Sequence, residues 1–312
     1  MGVTGAPALR RFADDVGAEG PVMAVGGRTQ WDVGGLPDPT TRPVTPPSGV
    51  VSHEPAEMIV RVRAGTPVAE LQATLAAATQ MVPLDPVDPE RATVGGVLAV
   101  GHSGSRRLRY GPVRDTVLET VFVSAEGTLI KAGAPVVKNV SGFDLCRLLV
   151  GSLGTLGLLA EVVLRVQPLP AAHQWWRGHA VDPFESYGRL FRPSSVLWDG
   201  ESTWVLLEGH PADVADQAGR LDPAFAPAGE GPALPVASRL SVRPGRLREL
   251  AGGWTPGRFV AEVGVGVVHL ADPAPGSEGD PARGPDLVAT GLNARVKALF
   301  DPAGRLNPGR RP

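Results

Sequence analysis

The chain has 312 residues, with 30 Lys and Arg against 32 Asp and Glu and a formal charge of −2. That near balance argues against a nucleic-acid-binding protein, while 40 Gly, 32 Pro and 43% apolar residues describe a turn-rich globular chain with a packed core. The single cysteine, Cys146, excludes an intrachain disulfide and a cysteine metal cluster, and the length suggests roughly two domains.

The elements follow in chain order. Residues 7–18 read as a short amphipathic helix, with Leu9, Phe12, Ala13 and Val16 at helical spacing. No basic segment leads into an apolar run here, so no secretory signal is expected. Residues 21–25 are a short apolar strand that runs directly into GGRTQ. Residues 58–62 alternate as a half-buried strand does. Gly65 turns the chain, Thr66 is a candidate N-cap with Pro67 at the first helical position, and residues 68–79 form a helix. Residues 82–112 read as a glycine- and proline-punctuated loop. A hairpin follows, with strands at 116–124 and 128–132 around Glu126-Gly127. Residues 144–150 are helical and 158–166 form a strand. The apolar run 148–164 is broken by Glu161 and three glycines, too short to cross a bilayer comfortably. Beyond residue 170, strands are expected at 203–208 and 259–268, a low-complexity surface loop at 271–285, a helix at 286–300 and a turn-rich tail at 301–312.

Three segments carry chemistry. In VGGRTQ, residues 25–30, two glycines let the backbone approach an anion, and successive N–H groups can form an anion-binding nest. The same residues suit an ordinary tight turn, and they are neither a Rossmann fingerprint nor a Walker A loop. Residues 93–115, TVGGVLAVGHSGSRRLRYGPVRD, combine glycines with apolar residues. A buried glycine-rich backbone needs partners for its N–H and C=O groups, which a polar planar ligand such as a flavin ring would supply. In residues 138–170, Lys138, Asn139, Ser141 and Asp144 precede a helix, and a glycine run leads into a strand.

These segments, in this order and spacing, resemble the PCMH-type FAD-binding domain of the vanillyl-alcohol-oxidase superfamily. The tail KALFDPAGRLNPG resembles the C-terminal signature of its FAD-linked oxidase branch. More narrowly, residues 106–162, with the block KNVSGFD, resemble the FAD-binding E subunits of bacterial glycolate oxidases. The match covers about residues 20–170 well and 293–309 moderately; residues 171–290 have little that matches.

The resemblance implies an α+β fold. A two-lobed FAD-binding domain would occupy 1–170, a small α+β substrate or cap domain 171–285, and a helix and tail, 286–312, would return to the FAD domain. It implies FAD at Gly26, Gly27, Arg28, Thr29 and Gln30 through its pyrophosphate. The flavin-side positions are Thr93, Gly95, Gly96, His102, Ser103 and Gly104, then Tyr110, Gly111 and Asp115; Gly154, Gly157 and Val162 would line the channel. Arg28 stands where the family has glycine or a histidine that can bond to the flavin, so the implied FAD is non-covalent. Arg28 itself suits a phosphate or plain solvation. Lys138, Asn139 and Asp144 suit contact with cofactor, substrate or another subunit, or the segment caps the following helix, for which Ser141 and Asp144 are good N-cap types. His102 is the one candidate catalytic base; the other five histidines have no metal-ligand spacing, and no metal is expected. Arg106, Arg107 and Arg109 could dock an acidic partner or face solvent.

The function implied is that of an FAD subunit of a glycolate oxidase or dehydrogenase complex, supporting 2-hydroxy-acid oxidation and electron transfer. Its partners would be a larger FAD-linked catalytic subunit and an iron–sulfur subunit. The chain would be cytoplasmic, or peripheral at the inner membrane face through partners, with no direct membrane span and no nucleic acid. A self-sufficient oxidoreductase of a small hydroxy acid or alcohol, and a flavin-free structural subunit, are the alternatives.

Overall fold

A computed structural model describes residues 6–135, 144–272 and 287–311. The chain divides into two compact units. The first comprises residues 1–104, 112–168 and 286–312, and the second 105–111 and 169–285.

The first unit opens with the helix Pro7–Val16, which buries Leu9, Phe12, Ala13 and Val16 and stops at Gly17, whose φ of 60° breaks the helical run. Strands β1 (Val22–Ala24) and β2 (Arg42–Val44) pair in parallel. A five-stranded antiparallel sheet holds β3 (Val50–Glu54), β4 (Ile59–Arg63), β6 (Val117–Val123), β7 (Leu129–Gly133) and β8 (Leu158–Arg165), in the order β3-β4-β8-β6-β7. Two short strands, β5 (Gln80–Met81) and β9 (Gln167–Pro168), pair separately. One apolar core joins Val60, Val62, Val162 and Leu164 of the sheet to Leu71 and Leu75 of the helix Val68–Ala76. A second joins the first helix to Val121, Val123, Leu158, Ala160 and Leu306.

Three local expectations are corrected here. The helix begins at Val68 with Pro67 as its N-cap, because Thr66 Oγ1 donates to the Arg63 carbonyl at 2.7 Å and accepts from the Gly49 amide at 2.8 Å. The span 82–112 is not all loop: Val94–Val100 and Arg107–Tyr110 are helices. The first is capped by Thr93, whose side chain accepts from the Gly96 amide at 3.2 Å. The strand expected over 259–268 is two strands, because Gly264 and Gly266, both at φ +82°, turn the chain between them.

The second unit is one seven-stranded antiparallel sheet. Its strands are β10 (Ala172–His179), β11 (Ser195–Trp198), β12 (Ser202–Gly209), β13 (Phe225–Ala228), β14 (Ser238–Ser241), β15 (Phe259–Glu262) and β16 (Val267–Leu270), in the order β13-β10-β12-β11-β15-β16-β14. Val196, Val205, Leu207 and Phe259 point to the side packed by the short helices, among them Pro183–Arg189 and Pro211–Ala218; Leu197, Trp204 and Val260 form a smaller cluster. Among the described residues no helix is long and apolar enough to cross a membrane.

The helix Leu287–Phe300 and the tail belong to the first unit. Arg305, 6% exposed, donates to the carbonyls of Val16, Gly17, Glu19, Gly20 and Ala125 at 2.8–3.1 Å, which uses all five of its N–H groups. Val22 donates to the Arg305 carbonyl, and Asn307 donates to that of Val22. The tail thus lies beside β1, the strand that delivers the first glycine loop.

Candidate functional site: a glycine-lined cleft in the first unit

Two adjoining hollows in the first unit share Ala24, Gly26, Thr93, Gly96, Ala99, Leu153 and Asn307, and together make one cleft. The inner part adds Pro46, Ala64, Gly95, Gly154, Leu158 and Leu159. The outer part adds Gly27, Arg28, Thr29, Gln30, Trp31 and Arg310.

The glycines here answer to packing inside the protein. A Cβ on Gly27 would lie 1.7 Å from the Arg91 carbonyl oxygen, and one on Gly26 would lie 2.3 Å from Thr93 Oγ1. A Cβ on Gly95 would meet Ala64 at 2.7 Å. Glycine therefore lets the 26–30 loop sit directly on residues 91–93, and the other side of that backbone forms the cleft wall.

Backbone strain concentrates at the same place. Of seven non-glycine residues at positive φ among those described, Arg28, Leu153 and Asn307 all line the outer hollow. Each such conformation costs on the order of 1 kcal/mol or more, so the surrounding structure must hold them there. Asn307 adds a second signal. Its Nδ2 donates to the Leu153 carbonyl at 2.5 Å, while its Oδ1 is buried without a hydrogen-bond partner. An orphaned buried acceptor costs about 1–3 kcal/mol, and a ligand donor would satisfy it.

The sequence-predicted residues separate into groups. The cleft brings together Gly26, Gly27, Arg28, Thr29, Gln30, Thr93, Gly95, Gly96 and Gly154. His102 and Ser103 follow the helix Val94–Val100 and line neither hollow; Ser103 Oγ accepts from the Val113 amide at 2.9 Å. Gly104 is closed against Asp85, where a Cβ would approach to 2.3 Å. Asp115 is paired with Arg147 and lies 3.9 Å from Arg114. Gly157 lies against the Phe122 ring, 2.4 Å from a built Cβ, and Val162 is a core residue of β8 at 1% exposure; both are packing positions rather than cleft wall. Asp144 caps the helix Leu145–Leu149, accepting from the Arg147 amide at 3.0 Å. Lys138 and Asn139 lie outside the described residues.

Tyr110 and Gly111 belong to the second unit. There Arg106 lies 3.5 Å from Glu208, Arg109 donates to the Glu208 carbonyl at 2.5 Å, and the Tyr110 hydroxyl donates to the Glu208 carboxylate at 3.4 Å. Burial, then the Glu208 charge, pushes the Tyr110 hydroxyl pKa up. Two of the three arginines expected to offer a docking patch are thus engaged inside their own unit. Among the described residues no three His, Cys, Asp or Glu come together as metal ligands.

Sequence reasoning missed Trp31, Leu153, Asn307 and Arg310 as cleft residues. Only Asn307 carried a signal, as the asparagine of the NPG tail; Asn tolerates positive φ better than most residues.

Residues 16–133 match the family described as FAD binding domain. The "Glycolate oxidase subunit GlcE" of Escherichia coli K12 is 39% identical over 173 residues, covering 53% of this chain and 49% of that protein. The "Glycolate oxidase subunit GlcD" of Bacillus subtilis 168 is 41% identical over 88 residues, covering 28% and 19%. The mitochondrial "D-lactate dehydrogenase [cytochrome]" of Arabidopsis thaliana is 42% identical over 86 residues, covering 27% and 15%. The matched stretch thus spans about half the length of the first relative, and less of the others. Among solved structures, an alkyldihydroxyacetonephosphate synthase superposes with a TM-score of 0.65 over 96% of this chain and 72% of its own, at 15% identity. The chain shares that α+β fold.

The cleft fits FAD on its own chemistry. Glycine backbone and the Thr29 and Thr93 hydroxyls suit an anionic linker, Arg28 and Arg310 supply positive charge, and Ala24, Ala64, Leu158 and Leu159 offer apolar wall. The Asn307 Oδ1 is an acceptor that needs a donor. When bound, the flavin supplies the capacity to accept and pass on electrons. The protein's part is to bind the dinucleotide, orient it and exclude water.

Proposed function

We propose that this chain is a non-covalent FAD-binding subunit of a glycolate-oxidase-type complex that oxidises a 2-hydroxy acid. The observation that carries this reading is the cleft itself, in which the 26–30 glycine loop, Thr93–Gly96 and Asn307 meet around strained and orphaned groups. The likeness to a glycolate oxidase subunit over half the chain gives the substrate class. Arg28 at the loop position supports a non-covalent flavin, because a guanidinium forms no covalent link to it. The expected partners are a larger FAD-linked catalytic subunit and an iron–sulfur subunit. The expected location is the cytoplasm, or the inner membrane face through those partners.

The test is the visible spectrum of the purified chain, before and after anaerobic addition of glycolate. The proposal expects a flavin band that is released by denaturation and that persists with glycolate until partner subunits are supplied. A band that bleaches in the chain alone would favour a self-sufficient oxidoreductase. No band, even after reconstitution with FAD, would sink the cofactor assignment.

A further inference from the structure

The outer hollow holds two cations from opposite ends of the sequence. The guanidinium carbons of Arg28 and Arg310 lie 4.7 and 4.9 Å from the centroid of the Trp31 ring. All three residues line the hollow. Arg28 is held at φ +58°, a conformation for which glycine would be the cheaper residue. Arg310 is tied back by its Nη1, which donates to the Val33 carbonyl at 2.7 Å. Burial lowers the pKa of Arg310, and the nearby Asp32 charge opposes that effect. Among the described residues neither guanidinium forms an ion pair.

Two like charges gathered on one ring repel each other. Each cation–π contact returns only about 0.5–1 kcal/mol at a site open to water, so the arrangement is incomplete without an anion. The neighbouring groups point to its chemistry. The Thr29 hydroxyl and the 26–27 backbone line the same hollow, and guanidinium forks match phosphate oxygens.

We propose that Arg28 and Arg310, held in place by Trp31, clamp the diphosphate of FAD, so that the C-terminal tail supplies half of the charge that neutralises it. This rests on the assignment of the cleft to FAD. The glycine loop gives the diphosphate a surface; the clamp gives it countercharge, and Trp31 sets where that charge sits.

The test uses the full-length apoprotein, titrated with FAD, ADP and riboflavin at low and high salt, with tryptophan emission recorded. Arg28→Gln and Arg310→Gln are each expected to weaken FAD and ADP about tenfold, the loss of one charge-assisted bond. Each should also flatten the salt dependence of binding, since screening acts on the removed charge, and leave riboflavin unaffected. Binding of ADP, which absorbs no tryptophan emission, should change the emission of the wild type but not of Trp31→Phe. Arg11→Gln, on the exposed side of the first helix, should bind like the wild type. Should Arg310→Gln fail to fold, Arg28→Gln decides, because Arg28 is exposed and touches the ring from the surface. Wild-type affinity and salt dependence in Arg28→Gln and Arg310→Gln would overturn the clamp while leaving the FAD assignment intact. So would an equal loss in Arg11→Gln, which would reduce the effect to net charge. A wild-type chain that takes up neither FAD nor ADP would overturn both.

Discussion

In the first unit one guanidinium, that of Arg305, donates to five main-chain carbonyls, whereas in the second two guanidiniums, those of Arg106 and Arg109, converge on the single residue Glu208. The first arrangement fixes backbone. It holds residues 16–20, the chain leading into β1, against the tail, and β1 leads directly to the glycine loop of the cleft. The second is divided: Arg106 lies against the Glu208 carboxylate, while Arg109 donates to the main-chain carbonyls of Glu208 and Arg192, beside a sheet whose ladder already fixes its backbone. Buried charge therefore does different work in the two units. In the chain that leads to the cleft, one guanidinium reaches main chain alone; beside strands that pair along their length, two guanidiniums are shared between a carboxylate and main-chain carbonyls.

The largest effect that would test this contrast is at Arg305. Arg305→Met keeps the length and removes all five donors. Losing a nearly buried guanidinium and its five bonds should cost on the order of 3–5 kcal/mol, or a fall in Tm on the order of 10 °C. Hydrogen exchange should rise first at residues 16–25 and 305–307, and FAD affinity should fall with it. A variant that keeps its exchange protection there would show that the sheet and core alone position β1.

Asp301 offers a sharper, pH-dependent version. Burial alone would raise its carboxyl pKa, but the Lys297 ammonium and the Leu306 and Arg305 amides outweigh burial and hold it below the ordinary value. A depressed folded pKa gives stability that is fully present above the unfolded value, about 3.9, and is lost as pH falls through the folded one. Acid unfolding of the wild type should therefore steepen below about pH 4. Asp301→Asn should be less stable at neutral pH, with a flatter acid limb. Parallel acid limbs for the two proteins would break the link between this carboxylate and the tail.

The same contrast explains what the sequence revealed. The first unit was largely legible because its cleft is lined by backbone, and backbone that must pass close to other backbone is written in glycine: Gly26, Gly27 and Gly95 each face an atom that leaves no room for a Cβ. Gly157 and Gly104 carry the same mark for ordinary packing, so glycine alone could not tell wall from core. Trp31 and Arg310 were hidden because their roles arise from a tail folded beside β1 across almost the whole sequence. Most strands of the second unit escaped because their patterns are short or mixed. β10 reads AHQWWRGH and β14 reads SRLS, and neither alternates cleanly. The helix Val94–Val100 was read as loop because two glycines in its first turn lower its propensity, and the Thr93 cap and burial against the sheet override that.

The smallest effect expected is at Arg106. Its nearest carboxylate contact with Glu208 is 3.5 Å, and its side chain is 20% exposed against 7% for the glutamate. Arg109 contributes to that residue through the carbonyl, not the carboxylate, and the Tyr110 hydroxyl still reaches the carboxylate when Arg106 is gone. A long, partly solvated pair is worth about 1 kcal/mol or less, and the ladder between β10 and β12 is untouched by its loss. In a double-mutant cycle with Glu208→Gln, the coupling of Arg106→Gln should therefore be a fraction of the Arg305→Met loss, and Arg106→Lys should keep most of it, because a point charge at that distance needs no fork. A coupling as large as the Arg305→Met loss would mean that segment 105–111 is held in the second unit chiefly through this pair. In that case a side-chain pair would do in the second unit what bonds to main-chain carbonyls do in the first, and the contrast between them would lie in the groups reached rather than in the stability gained.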